Sequence, residues 1–427
     1  MFSRFSRAPA RFPLNQSPKG RVVDMDAKAE PSLWERSLAG GMVPATVGGL
    51  VLYFSLNVPL VAQYEQPTWT VSDRPALSIG MVTGPEEYLF QSIAGVVSLS
   101  DGRLAVADAG FPVIRVYDGR GHHLHSMGRS GAGPGEFLSL LGIWLTPDGD
   151  LAAWDPELRR VVRFDQAGEH VRTAPVVADD MGNLEVFFGR LGGDDILLAS
   201  LTLGRPRPGE QVPDVWLLHR YDLSNGSAAS VGHVQGMWRY ERNPVPFSPF
   251  PWVATRDDTI YVADGYDPRI EVLDRHGTLV RTLPTPVEQA ATRGDWAALE
   301  RSVRARHSEE TLGANWVDLL DRRSVPFDER MPAVAGLLLD DSGLLWVKTF
   351  DPSHDALWLK TEARFPAPGG EWYVIDATTG APVARVEMPV GLVPLTISQH
   401  RIVGKHVDPF GVQRVVVHEL RRGQRGR

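Results

Sequence analysis

The chain contains no cysteine in 427 residues, which excludes disulfides, thiolate metal sites, a cysteine nucleophile and a lipidated cysteine anchor. It also lacks a GxSxG nucleophile elbow, a P-loop, a dinucleotide fingerprint and an HExxH pair, so the common hydrolase, nucleotide and zinc-protease signatures are missing. Positive charge is short as well. The formal net charge is −8, and because residues 1–62 carry +3, the remainder carries −11. A general nucleic-acid binder needs a basic face, so no nucleic-acid partner is expected. The 42 Gly and 33 Pro follow no period of three, and they read as many turns between short strands.

What the chain does contain is a repeat. Phe90, Ser92, Gly95, Asp101, Gly102, Leu104, Asp108, Asp118, Gly121 and His123 return 47 residues later as Phe137, Ser139, Gly142, Asp148, Gly149, Leu151, Asp155, Asp165, Gly168 and His170. Short apolar runs broken by Asp-Gly turns at this period describe a propeller blade of four antiparallel strands. The first blade occupies residues 94–127, a second copy follows the connection at 128–137, a looser blade lies at 184–234, and further blades lie at 250–283, 334–387 and 394–419. The reading is an all-β, six-bladed β-propeller over residues 66–423. The strand-like piece at 68–79 is expected to close the last blade and so remove a free sheet edge. In the third blade, residues 204–213 read as a long loop because they are rich in Pro and Gly. Between blades four and five, Trp296, Leu299 and Val303, then Leu312, Trp316 and Leu319, recur at helical spacing. This predicts a small helical insertion over about 287–328.

The segments GRSGAGPGEF, GIWLTPDGDLAAWD and RVVRFDQAG resemble the NHL repeat of six-bladed propellers, as do GVVSLSDGRLAVAD, IRVYDGRG and TIYVADGYDPRIEVLDRHGTLVRTL. Arg160 and Arg269 stand where the NHL pattern places an arginine, whereas the first blade has Val113. The later segment order is similar to that of uncharacterised secreted bacterial propellers of the NHL/TolB-like superfamily. The resemblance implies the fold and leaves the ligand open. Gluconolactonase-like propellers place Glu, Asn and Asp on a central metal, a pattern that this Asn-poor chain does not match.

No charged residue occurs between Ser37 and Tyr64, and Lys28 and Arg36 precede the run. Residues 1–65 therefore read as a leader with a signal segment cleaved after Ala62, with an uncleaved membrane anchor as the alternative. The expected location is periplasmic or extracellular, and residues 424–427 form a basic tail.

Candidate chemistry divides into what repeats and what does not. Asp108, Asp155 and Asp264 occupy one position in three blades. A carboxylate ring could hold Ca²⁺, but a residue recurring in each blade fits a turn-capping role better, so no cofactor is expected. His122, His123 and His125 invite a metal, but His123 recurs as His170 and belongs to ordinary strand sequence. Ligand sites on repeat scaffolds lie where the repeat fails. One such break holds Trp238, Arg239, Tyr240, Arg242 and Trp252, which either bind a ligand or fill the contact between blades three and four. A second is Lys348 in place of the repeated Asp, followed by Asp351, His354 and Asp355, read as solvated loop charges. The third is the insertion, where Arg301, Arg304, Arg306 and His307 either cover the channel mouth or belong to a helix whose apolar stripe packs against the propeller flank. The function expected is an exported, monomeric, non-catalytic module that binds a small ligand or an envelope protein. A metal-dependent hydrolase or lyase acting at the central channel is the alternative.

Overall fold

The computed structural model describes residues 67–176, 185–240, 243–245, 247–287, 331–351, 355, 365–408 and 410–423. The leader, the expected helical insertion and the basic tail lie outside these residues, as do Arg242, His307 and His354. The described chain is almost entirely β, with a 3-10 turn at Glu86–Tyr88. No described helix is long and apolar enough to cross a membrane.

Two short strands come first, β1 (Thr68–Val71) and β2 (Leu77–Ile79). The first sheet is β3 (Ile93–Ser98), β4 (Leu104–Asp108), β5 (Val113–Tyr117) and β6 (His123–Met127). The second is β7 (Gly142–Leu145), β8 (Leu151–Asp155), β9 (Arg160–Phe164) and β10 (His170–Pro175). The third is β11 (Glu185–Arg190), β12 (Asp195–Thr202), β13 (Gln211–Asp222), β14 (Ser227–Tyr240) and β15 (Asn243–Pro244). The fourth is β16 (Trp252–Arg256), β17 (Thr259–Ala263), β18 (Arg269–Asp274) and β19 (Leu279–Pro284). Two further runs follow, β20 (Val334–Leu339) to β23 (Pro382–Met388) through β21 (Leu344–Thr349) and β22 (Gly370–Asp376), then β24 (Leu392–Ile397), β25 (Arg401–Val407) and β26 (Gln413–Arg421).

These last runs do not stand apart. β1 pairs in parallel with β23 and antiparallel with β26, and β2 pairs antiparallel with β26, giving one nine-stranded sheet. The arrangement is propeller-like, with four separate sheets and one joined sheet. The expected closing strand is present as two pieces. Pro75 offers no N–H to a ladder, and the chain breaks between β1 and β2; both pieces pair with β26, and β1 alone also reaches β23.

Adjacent strands in each unit are joined by tight turns that the repeated aspartates build. Asp118 accepts hydrogen bonds from the N–H groups of Arg120 and His122, Asp165 from Ala167 and Glu169, and Asp274 from His276 and Thr278, all at 2.8–2.9 Å. These amide bonds hold the Asp118 and Asp274 carboxyls below the usual carboxylate range, as expected for an anion solvated by N–H donors. The connection GRSGAGPGEF is fixed by Arg160, whose guanidinium donates to the carbonyls of Ala132, Gly133 and Glu136 at 2.8–3.0 Å. Gly128 opens that connection at φ 72°, and a Cβ there would lie 2.4 Å from the Phe137 ring.

The third sheet departs from expectation. Gln211–Pro213, expected in a loop, extends β13 and pairs with residues Tyr240, Arg239 and Trp238 of β14. A register shift between Pro213 and Val215 accommodates the proline, which is where proline is tolerated in a sheet.

The core lies between sheets. Ile114, Val116, Phe137, Leu140 and Val162 fill the space between the first and second. Trp346, Trp372, Val386, Ile402 and Val416 join the two halves of the nine-stranded sheet. The first strands of successive units are neighbours in the order β24, β3, β7, β11, β16 and β20, and they surround a central space.

Candidate functional site

That space is a cavity of about 1440 Å³. Its wall is drawn mainly from β3, β7, β11, β16, β20 and β24, with residues of β13, β14, β25 and β26 and of loops adding to it. Inner strands are buried on both faces, so their sequences run apolar on both sides, as in IAGVVS and VAGLLL. Outer strands such as β6 and β10 alternate or turn polar. The consequence is an interior with a predominantly apolar wall. Trp144 stacks on Phe187 with ring centroids 4.5 Å apart and planes 20° from parallel. Trp216, Phe250 and Trp252 continue this wall through edge-on contacts at 5.7 and 5.2 Å. Val97, Leu338, Leu395 and Val403 contribute to the wall from the first unit and the joined sheet.

The candidates at the first break divide. Trp252 lines the cavity and is 6% exposed, and it also packs on Phe250 in the core shared by the third and fourth sheets. Arg239 is tied down, its Nε 2.6 Å from Oδ1 of Asp214, which is buried and also accepts the Gly204 N–H. Trp238 is half-buried; its backbone N–H donates to the Ser248 hydroxyl at 2.9 Å, and its indole N–H has no partner among the described residues. Tyr240 is half-buried at the end of β14. The structure therefore brings Trp252 and the adjoining Met237 to the channel, whereas Arg239 is held in an ion pair beside it.

Lys348 and Asp355 require a correction. They are not solvated loop charges. Their side chains are 1% and 3% exposed and paired with each other. Lys348 is the fifth of six residues in β21, where β20, β22 and Pro366 cover it, so a partner of opposite charge is obligatory. Asp351 is exposed and donates its backbone N–H to Asp355.

The repeated aspartates face their own turns. Asp155, fully buried, accepts from the N–H groups of Leu138, Ser139, Glu157 and Leu158 at 2.9–3.2 Å. Asp108 accepts from Gln91, Ser92 and Gly110 and pairs with Arg115 at 2.9 Å. Asp264 accepts from Tyr266 and Asp267. Arg115 pairs with the repeated aspartate itself, whereas Arg160, at the NHL position, donates to carbonyls of the connecting loop. Among the described residues, no three His, Asp or Glu side chains are grouped to hold a metal. The histidines repeat in detail: His123 Nε2 lies 3.0 Å from the Ser126 hydroxyl, and His170 Nε2 lies 2.8 Å from that of Thr173. His122 pairs with Asp118 on the surface, and burial holds the His125 imidazole below its ordinary value.

Two features escaped sequence reading. Lys405, fully buried, is the fifth residue of β25 as Lys348 is of β21, and its Nζ lies 4.4 Å from the centre of the Phe365 ring. The signal was present, since RIVGK aligns with LLWVK. The cavity wall itself was missed because its residues look like ordinary core.

No protein-family model and no curated protein sequence matches the chain. Its structural neighbours are propeller-type proteins of mixed function. A member of the DUF4221 family from Bacteroides vulgatus superposes with a TM-score of 0.50 at 9% identity, over 84% of this chain and 100% of that one. A gluconolactonase from Xanthomonas campestris gives 0.41 at 11% identity over 82% and 99%. A PQQ-bound aldose sugar dehydrogenase from Streptomyces coelicolor gives 0.41 at 16% over 83% and 99%. The first shares the fold at this level, and the other two overlap too loosely to bear on chemistry.

Proposed function

We propose that the chain is an exported six-bladed propeller that binds a small ligand in its central channel without transforming it. The observation that carries this reading is the cavity of about 1440 Å³ with its aromatic and aliphatic wall. An apolar space of that size is larger than most drug-sized ligand pockets require. The count of six follows from treating β20–β23 as one blade and β24–β26 with β2 as another, with β1 bridging their edges. Export rests on the uncharged run between Ser37 and Tyr64, and N-terminal sequencing of the secreted protein tests it. A mature chain retaining Leu50 would overturn cleavage.

Binding is tested with N-phenyl-1-naphthylamine, a neutral dye that fluoresces in apolar surroundings. The wild-type protein is expected to bind it saturably at one site, and Leu338→Trp, which places an indole in the channel, is expected to abolish the signal. Equal binding by both proteins would overturn the channel as the site.

A further inference from the structure

We propose that the channel selects cationic amphiphiles, molecules with an apolar body and an ammonium or similar head; this rests on the channel being the ligand site. The charges on its wall are unequal. Glu157, Asp341 and Glu419 line the cavity, against a single arginine, Arg401. Arg401 lies directly across the ladder from Glu419, and Glu419 also meets Arg421 at 3.5 Å, so that carboxylate is already balanced. Glu157 and Asp341 are both exposed and have no ion-pair partner among the described residues. They also sit at different ends of the lining strands. Glu157 follows β8 on the loop toward β9, and Asp341 lies in the turn from β20 to β21.

A carboxylate at each mouth and an apolar body between them match an amphiphile whose head stays where water reaches it. A charge drawn into the apolar middle would lose its hydration, so the head belongs at a mouth. Aromatic walls add to the sign preference, because ring faces attract cations and repel anions. At either mouth an anionic head would meet an uncompensated carboxylate, and the one lining arginine is already opposed.

Three competitors with the same ten-carbon body separate the charge effect from the apolar one: decylammonium, decanol and decanoate, each used below its micelle concentration to displace N-phenyl-1-naphthylamine. The expected order is decylammonium, decanol, decanoate, with the first acting at about fivefold to tenfold lower concentration than the last, as solvent-exposed ion pairs allow. The double variant Asp341→Asn, Glu157→Gln should bind the dye as wild type does while the ratio falls to about one to two. Decanoate equal to or better than decylammonium, or an unchanged ratio in the double variant, would overturn the cationic preference and leave the channel reading standing. Absence of saturable dye binding in the wild type would overturn both.

Discussion

Lys348 and Asp355 form an ion pair inside the protein, with side chains 1% and 3% exposed. The pair replaces, in this unit, the amide-capping aspartate used at the equivalent position in the first and second sheets.

Removing one partner should be worse than removing both. Lys348→Met leaves a buried carboxylate without its cation and is expected to cost about 3–5 kcal/mol. Lys348→Met with Asp355→Leu should recover much of that loss. Urea denaturation at constant m-value measures both, and a double variant weaker than the single one would contradict the account.

Asp155→Ala strips four backbone N–H groups of their acceptor. Bonds to a charged acceptor and the penalty for orphaned donors place the cost at about 2–4 kcal/mol. If this carboxylate caps turns and holds no ion, EDTA should leave the melting temperature of the wild-type protein unchanged. A drop restored by Ca²⁺ would reinstate the metal.

Stability should fall toward acid in two stages. Burial, with Arg414 and His418 adding to it, holds His406 below the ordinary 6.5, and burial does the same for His125. The unfolded chain then binds these protons first, so the stabilisation is full above about pH 6.5 and declines as pH falls through the folded values. Asp118, Asp222 and Asp274 sit below 3.8, and their contribution is present above that value and lost further into acid. Thermal melts from pH 8 to 3 check this sequence, and His125→Gln with His406→Gln should flatten the first stage only.

The blades were legible in sequence wherever the local chemistry was repeated. Asp118, Asp165 and Asp274 each build the same turn from their own nearby amides, so the signal is contained in a few adjacent residues. The bridging role of β1 was not legible, because its parallel partner Arg385 is more than three hundred residues away. The channel wall was hidden for a related reason. Phe187 and Leu338 have the composition of core residues, and only the closing of the strands around an open space distinguishes them. Lys348 was misjudged because charge in a loop-flanked position suggests solvent, whereas burial is decided by the chain segments that fold over it.

The most direct test is a crystal structure of the complex with N-phenyl-1-naphthylamine. The account predicts the naphthyl ring inside the channel, between Phe187 on one wall and Leu338 on the other. Dye bound only on the outer strands or in a surface loop, with the channel unchanged, would contradict it.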